Sequence, residues 1–519
     1  MLGCLVKLYK EWRERVPVQP LCCLACKTHN SVCHEQGTIS HHYCSSRCQD
    51  HYYTLLGHKR VLDLTLDLNQ WTQLPPEIVV ALLEVSFPLR ETDAGQFREL
   101  AQFRSIDERF RVIIDEQIFS HMHQLPEEIE SELTDTTLTP FIGLQRLSPP
   151  DSITDFALGR LTNLTQLQLT NHGQTYLRHP PITAASWGLL PRLKVLDLWH
   201  YHRPLSHDWC ELYANQLESL AIASDQWALE DANDVLLLTG LTQLYLEQAS
   251  RIDGTVLRQM TRLESLHLEE NHIGIVFGNG SVETLTNLTR LQLINTRGIT
   301  GEVLNSLVNL QHLELEQQPG NLQFINQQVT QLPELRSLKL VACHGIDNLT
   351  GLSLLTRLVM QSMDFVNSGL VTLTQLERLE LHNVVGINDH LMPHLLNLRH
   401  LGLAGAYISS EGLKVGLTAL HTLDLPGYEE LDAYSFIDAY KWLPALRSLN
   451  LAGNWVVKPD QVLYNVWRNE RMIPRTLADH LPIGCYVYIS YNEAFRVVDR
   501  NDGKAEIITF KPHKEAATL

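Results

Sequence analysis

The sequence predicts an α/β solenoid of about thirteen stacked repeats, each carrying one short strand, preceded by a small cysteine-rich segment and a helical segment. Three observations predict it. A leucine pattern recurs from residue 161 onward at spacings of 20 to 29 residues. Seven of the ten cysteines fall within the first 48 residues. Between these two regions, residues 71–119 place apolar side chains at helical spacing. With 44% hydrophobic and 19% charged residues the 519-residue chain is a folded protein, neither disordered nor collagen-like. A repeat array accounts for a length that would otherwise imply about three or four separate domains.

The repeat is explicit. LTNLTQLQL (161–169) returns as LPRLKVLDL (190–198), LTGLTQLYL (238–246), MTRLESLHL (260–268), LTNLTRLQL (285–293) and LVNLQHLEL (307–315). It continues through LPELRSLKL (332–340), LTQLERLEL (373–381), LLNLRHLGL (395–403), LTALHTLDL (417–425) and LPALRSLNL (443–451), with weaker copies at 214–222 and 352–360. This is the leucine-rich-repeat period with its L-x-x-L-x-x-L-x-L core. The L-x-L pair is a strand with both leucines pointing inward. One repeat cannot bury them alone, so repeats stack and share one core. Asn271, Cys343 and Asn454 fall where that consensus has an Asn or Cys bonding the turning backbone, which makes Cys343 a buried repeat residue rather than a reactive thiol. The sequons at Asn163, Asn287, Asn348 and Asn279 read as repeat residues rather than glycan acceptors.

Strand side chains alternate, so the residues beside the inward leucines face the concave side. In the first seven repeats these include Asp197, Trp199, Tyr245, Glu247, His267, Glu269, Glu314 and Glu316 against a single Arg290; in the next six they include Lys339, Arg357, Arg378, Glu380 and Asp424. The expectation is a partner-binding face that is acidic and aromatic in its first half, with a basic patch in repeats eight to ten. Trp199 and Tyr245 are its anchors, because aromatic residues dominate interface hot spots. His267, His312, His382 and His400 also sit on outward strand positions, where solvated surface residues are expected.

Segment 1–65 contains Cys23-x2-Cys26 and, 17 residues later, Cys44-x3-Cys48. Two short cysteine pairs can bring four thiolates around one tetrahedral Zn²⁺. Such clustering beside histidines, with no leader pattern at the start of the sequence, predicts an intracellular chain, cytoplasmic or nuclear. The run YCSSRCQDHYYTLLGHK resembles the end of MYND and related treble-clef zinc fingers. Those fingers bind two zincs. Here a second set would come from Cys33, His41, His42, His51 and His58, whose spacing departs from the pattern.

Segment 70–125 opens a helix at Pro75-Pro76-Glu77, where Pro suits the first turn and an acid suits the positive helix end. Ile78, Leu82, Leu83 and Phe87 follow at roughly helical spacing, then Phe97, Leu100, Phe103, Ile106, Phe110 and Ile113. The LPPEI start, the turn at 89–93 and the ending IDERFRVIIDEQIF resemble an F-box, with a looser match in the middle. The resemblance implies that Leu74, Pro75, Ile78, Leu82 and Leu83 dock a Skp-type adaptor. The alternative is a helical cap on the first repeat. F-box followed by leucine-rich repeats is a known family architecture, and with a preceding finger it resembles proteins of large DNA viruses or protists.

Residues 126–160 read as linker and N-terminal cap, with one cryptic repeat at 141–147; the repeats occupy 161–454, and 455–519 form a C-terminal cap. The cap is strand-like over 485–510, with a hairpin turn at Asn501-Asp502-Gly503. A net charge of −18 argues against nucleic acid as partner, and no apolar run approaches the ~20 residues needed to span a bilayer. No phosphate loop, nucleophile elbow, H-E-x-x-H or kinase signature is present, so the chain is not expected to be an enzyme. The expected function is that of an F-box substrate receptor of a cullin–RING ubiquitin ligase. The alternative is a non-enzymatic scaffold that clamps a protein partner on its repeats.

Overall fold

The computed structural model describes residues 32–36, 39–43, 98, 104, 108–125, 127–150 and 152–170; most of 182–451, with short interruptions between repeats; and 480–490, 493–499 and 504–509. The chain divides into two compact units, Met1–Asp197 and Leu198–Leu519.

In the first unit, β1 (Val32–Gln36) and β2 (Ile39–Tyr43) form an antiparallel hairpin. Helix α1 (Glu108–Gln117) follows within the IDERFRVIIDEQIF segment. It buries Ile113 and Ile114, and the chain beyond it buries Ile118 and Phe119. Arg104 holds Asp115 of this helix through paired bonds of 2.6 and 2.9 Å. The Phe119 ring stacks on Phe141 at 4.6 Å, and a Cβ on Gly143 would lie 2.1 Å from the Ser120 carbonyl oxygen. The end of the helical segment is therefore pressed directly on residues 141–147.

Those residues form a repeat. Phe141, Leu144 and Leu147 take the three successive apolar positions and are buried. Strand β3 (Arg146–Leu147) pairs in parallel with β4 (Gln166–Thr170), matching Leu147 to Leu167. It is only two residues long because Pro149 stands where the second strand leucine would be. The parallel array thus begins one repeat before residue 161, inside the segment read as linker and cap. Strand β5 (Val195–Trp199) starts beside β4, where Lys194 N–H and Val195 N–H both donate to the Thr165 carbonyl.

The second unit carries the remaining repeat strands: β6 (Ser219–Ala223), β7 (Gln243–Glu247), β8 (Ser265–Glu269), β9 (Arg290–Ile294), β10 (His312–Glu316), β11 (Ser337–Val341), β12 (Arg357–Asp364), β13 (Arg378–Val385), β14 (His400–Ala404), β15 (Thr422–Asp424) and β16 (Ser448–Asn450). Each pairs in parallel with the next, register leucine to register leucine, from Leu220↔Leu244 to Leu423↔Leu449. The strand leucines of every copy are buried, with Ile222 and Met360 replacing a leucine in the weaker two. Short helices and 3-10 turns return the chain between strands. Several are capped at the N-terminus by a side chain that accepts a backbone N–H, as Asp253 does from Thr255 and Val256.

One feature of the repeat was invisible in the leucine pattern. The residue four positions after the register leucine is left-handed in many copies: Gln248, Asn295, Ala342, Ser362 and Asn383 have φ between 49° and 54°, and Gly405 has 74°. At Gln248, Asn295 and Ala342 it ends the strand, and at Ser362 and Asn383 it interrupts the longer β12 and β13; its N–H can donate to the next strand, as from Ala342 to the Gln361 carbonyl at 2.9 Å. One residue later, Thr296 and Cys343 are buried and bond the same pair of carbonyls, Leu268 and Ile294 for Thr296 Oγ1, and Leu315 and Val341 for Cys343 Sγ. Burial pushes the Cys343 thiol up to about 12, so it is an inert structural donor. The Asn and Thr of the LTNLT motif also have work. Asn163, Asn287, Asn309 and Asn397 donate to carbonyls of the preceding repeat, and Thr165, Thr242, Thr289 and Thr356 do the same from their hydroxyls.

After β16, strand β17 (Tyr486–Ser490) adds in parallel, and β18 (Glu493–Asp499) and β19 (Lys504–Thr509) complete an antiparallel edge. Leu481, Cys485 and Val487 are buried there. The turn expected at Asn501–Gly503 lies outside the described residues.

A left-handed alanine is unfavourable by roughly 1–2 kcal/mol against glycine, less the entropy glycine adds to the unfolded chain. Ala342→Gly is therefore expected to raise stability by up to about 1 kcal/mol, read as a higher urea midpoint. Gly386 has φ 94° and its Cβ would meet the Phe365 carbonyl oxygen at 2.1 Å, so Gly386→Ala should lower the same midpoint by about 2 kcal/mol. Equal midpoints for both variants and the wild type would contradict this account of the turns.

Candidate functional site

The outward face of the second unit's sheet is ordered into three rows by the register. The leading row, before the first strand leucine, runs Gln243, Ser265, Arg290, His312, Ser337, Arg357, Arg378, His400. The middle row, between the leucines, runs Tyr245, His267, Gln292, Glu314, Lys339, Val359, Glu380, Gly402. The trailing row runs Glu247, Glu269, Ile294, Glu316, Val341, Gln361, His382, Ala404. The alternation of buried leucines with partly exposed neighbours puts all the sequence-predicted partner residues of this unit on one face.

The middle row is a connected chain of contacts. Trp199 and Tyr245 approach at 5.3 Å between ring centroids, although a whole strand lies between them. Ala221 and Ala223 on that strand are small enough to let the two rings lean together. Tyr245 also stacks on His267 at 4.2 Å, and its hydroxyl donates to Glu269 at 2.7 Å and to Glu247 at 3.3 Å. His267 contacts Glu269 through Nε2 at 2.9 Å and Gln292 Oε1 through Nδ1 at 2.8 Å. Gln292 Nε2 donates to Glu314 at 2.6 Å, and Lys339 Nζ binds the other Glu314 oxygen at 2.6 Å.

Bond polarity is fixed along this chain. A carboxylate only accepts, so Gln292 must turn its NH₂ to Glu314 and its carbonyl to His267. His267 then faces an acceptor at each ring nitrogen, Gln292 Oε1 at Nδ1 and Glu269 at Nε2. Burial pushes Glu314 upward, but the bonds from Lys339 and Gln292 and the Lys339 charge outweigh it and hold the carboxyl below its usual range. Burial raises the Tyr245 hydroxyl, and the neighbouring Glu269 and Glu247 raise it further, so it is a fixed donor.

Further along, Arg378 binds Glu380 at 2.5 Å, with His382 at 3.7 Å, and His400 lies 3.4 Å from Asp424. Burial lowers His400 and raises Asp424. For His267 and His400 the expectation of solvated surface residues is corrected, while His382 keeps 35% of its side chain exposed. The His267 and His400 side chains are only 14% and 16% exposed, because each packs against the face and pairs with a carboxylate. Burial, together with Arg290, Arg357 and Arg336, lowers His312. The face is also less acidic than its residue types suggest, since Glu314 and Glu380 are matched by Lys339 and Arg378. Gln292, His400 and Asn450 were not among the predicted partner residues, yet all take outward strand positions. The signal that could have found them is the position itself, read without regard to charge.

In the first unit Asp197 is half-buried at the outward position of β5; burial raises its carboxyl and Arg146 opposes the shift. The proposed metal ligands Cys23, Cys26, Cys44, Cys48, His51 and His58 lie outside the described residues, as do the proposed adaptor contacts Leu74, Pro75, Ile78, Leu82 and Leu83. Of the second metal set, the hairpin register places Cys33 opposite His42, while His41 is opposite His34. Among the described residues no cluster of three His, Cys, Asp or Glu suits a metal, and no helix is long and apolar enough to cross a membrane. A groove of about 710 Å³ runs along the leading side of these strands, lined by polar residues including Arg262, Glu264, Thr289, Asn309, Gln311 and Glu334.

No protein-family model matches the chain, and no curated protein matches it. Solved structures resemble it. A leucine-rich-repeat protein of Leptospira interrogans is 19% identical, with 70% of this chain and 93% of that one covered and a TM-score of 0.41. An internalin of Listeria monocytogenes is 20% identical, over 55% of this chain and 75% of that one, with a TM-score of 0.34. Yeast Rad7, solved in complex with Elc1, is 16% identical, over 70% and 91%, with a TM-score of 0.38. The fold is that of the leucine-rich-repeat proteins. At these values the likeness goes no further than the repeat architecture.

Glu380 gives the face a pH signature. The polar contact of His382 and the bond and charge of Arg378 hold its carboxyl at about 2 against the pull of burial. A depressed folded value stabilises fully above the unfolded value of about 4.3, and that stability is lost as pH falls toward the folded value. Glu380→Gln should therefore destabilise at neutral pH, and its deficit should shrink as pH falls through that window. A deficit that stays constant in acid melts would remove Glu380 from this account.

Proposed function

We propose that this chain is a non-enzymatic receptor that holds a protein partner on the outward face of its repeats, and that it serves as the F-box substrate-recognition subunit of a cullin–RING ubiquitin ligase. The observation that carries the proposal is the join between the two parts. The F-box-like segment ends in α1, which buries Ile113 and Ile114 and whose following Phe119 stacks on Phe141 of the first repeat. A receptor needs such a join, because it ties the adaptor-binding segment to the first repeat rather than leaving it on a free linker. The LPPEI start and the Leu74, Pro75, Ile78, Leu82, Leu83 set would supply the adaptor contacts.

The same join favours a second reading, a scaffold whose helical segment does no more than cover the first repeat. A pull-down with a Skp-type adaptor separates the two. The wild type is expected to retain the adaptor, and Ile78→Asp to lose it while the repeats keep their thermal midpoint. Failure of the folded wild type to bind would leave the scaffold.

The N-terminal cysteines suit zinc. Hairpin β1–β2 lies between the pairs Cys23/Cys26 and Cys44/Cys48 and sets Val32 opposite Tyr43, so the chain doubles back between them. Four thiolates would close a structural tetrahedral site with no open position for catalysis. The purified full chain should carry close to one equivalent of zinc, released by acid as the thiolates protonate. Elemental analysis giving under about half an equivalent, or an unchanged content in a Cys44→Ser, Cys48→Ser variant, would count against this site.

A further inference from the structure

We propose that the partner segment held by the second unit is acidic and extended, and that it lies across the strands along the leading row, with its carboxylates on Arg290 and Arg357. This rests on the reading of the sheet face as a protein-binding surface and says which part of it binds and what chemistry it takes.

The register carries the argument. From Gln243 to His400 the leading row contains arginine and histidine but no carboxylate, whereas the trailing row of the same strands carries Glu247, Glu269 and Glu316 and no lysine or arginine. The face is therefore polarised across the strands as well as along the array. Arg290 and Arg357 are exposed, and among the described residues neither has a carboxylate partner. Arg378, next in the row, is turned onto Glu380. Between Arg290 and Arg357 stand His312 and Ser337, with exposed Arg336 just before Ser337 in the chain. Burial pushes His312 toward its neutral form, and the positive charges of Arg290, Arg357 and Arg336 around it push the same way.

Spacing selects the ligand. Arg290 and Arg357 lie three strands apart, which at about 4.8 Å per strand is about 14 Å. Four residues of an extended chain span about 13 Å. Carboxylates at positions i and i+4 of an extended segment thus meet the two guanidinium groups. The adjoining groove carries Arg262 and the two carboxylates Glu264 and Glu334, a net negative lining, so it offers polar contacts for a backbone but does not attract acidic side chains, and the charge recognition stays on the row.

The same face disfavours nucleic acid. A polyanion with a charge at every phosphate would pass close to the trailing glutamates, on a chain whose net charge is −18. Single-strand binders also offer aromatic rings on which bases stack, whereas here Tyr245 already stacks on His267 and Trp199 leans on Tyr245.

The test uses the full chain and a fluorescein-labelled Gly/Ser peptide with glutamates four residues apart, read by fluorescence anisotropy. The wild type should bind, more tightly at low than at high ionic strength. Arg290→Glu with Arg357→Glu should weaken binding about tenfold or more while leaving the thermal midpoint unchanged, since both side chains are exposed. An Arg378→Gln variant should weaken it far less. Equal binding by wild type and double variant overturns the proposal, as does tighter binding of single-stranded oligothymidylate than of the peptide. The adaptor pull-down on the same double variant keeps the two readings apart. Loss of peptide with the adaptor retained agrees with the inference. Peptide binding without any adaptor removes only the ligase reading.

Discussion

A strand of five residues with two inward leucines cannot bury them by itself, and nearly everything else in this protein answers that constraint. The second unit satisfies it by parallel pairing in which each register leucine meets the register leucine of the next strand, from Leu220 to Leu449. A slip of one residue would turn the leucines outward and the charged row inward, so the register is as strongly specified as the core itself. Parallel neighbours require the chain to return after every strand, and the turning residues make that possible: a left-handed residue to leave the strand, and a buried Thr296 or Cys343 to bind the carbonyls that the turn would otherwise strand. The LTNLT side chains join neighbouring repeats at the opposite end of the strand. The array is held at both ends of each strand by bonds from one repeat to the next, with the leucines between.

The leucine pattern made the core, the strand positions and the outward face legible, because period-two alternation leaves little freedom once two leucines are fixed inward. It did not reveal the left-handed position, because five residues found there, Gln248, Asn295, Ala342, Ser362 and Asn383, share no side-chain chemistry. Only the backbone is alike. Thr296 was hidden for the opposite reason: it performs a role expected of Asn or Cys with a different hydroxyl donor. The repeat at 141–147 was legible only as a cryptic copy because Pro149 removes its second strand leucine. The network on the face was half legible. The acids and aromatics could be counted, but a neutral Gln292 that orders His267 and Glu314 carries no charge to count. Nor does a sequence say that Ala221 and Ala223 leave room for Trp199 to reach Tyr245.

These contacts bear on how the face can recognise anything. A row of paired and mutually oriented groups is already satisfied, so a ligand that competed with it would have to break Tyr245–Glu269 or Glu314–Lys339 before gaining a bond of its own. The middle row is therefore a stiff floor rather than the source of binding energy, with a row of different charge on either side. Those rows differ in sign because the residue before the first leucine and the residue after the second lie at opposite ends of one short strand, with the floor between them. Such an arrangement favours a ligand whose charge is confined to one edge. It disfavours one that carries a single sign over its whole surface, so specificity comes from where the charges sit rather than from how many there are.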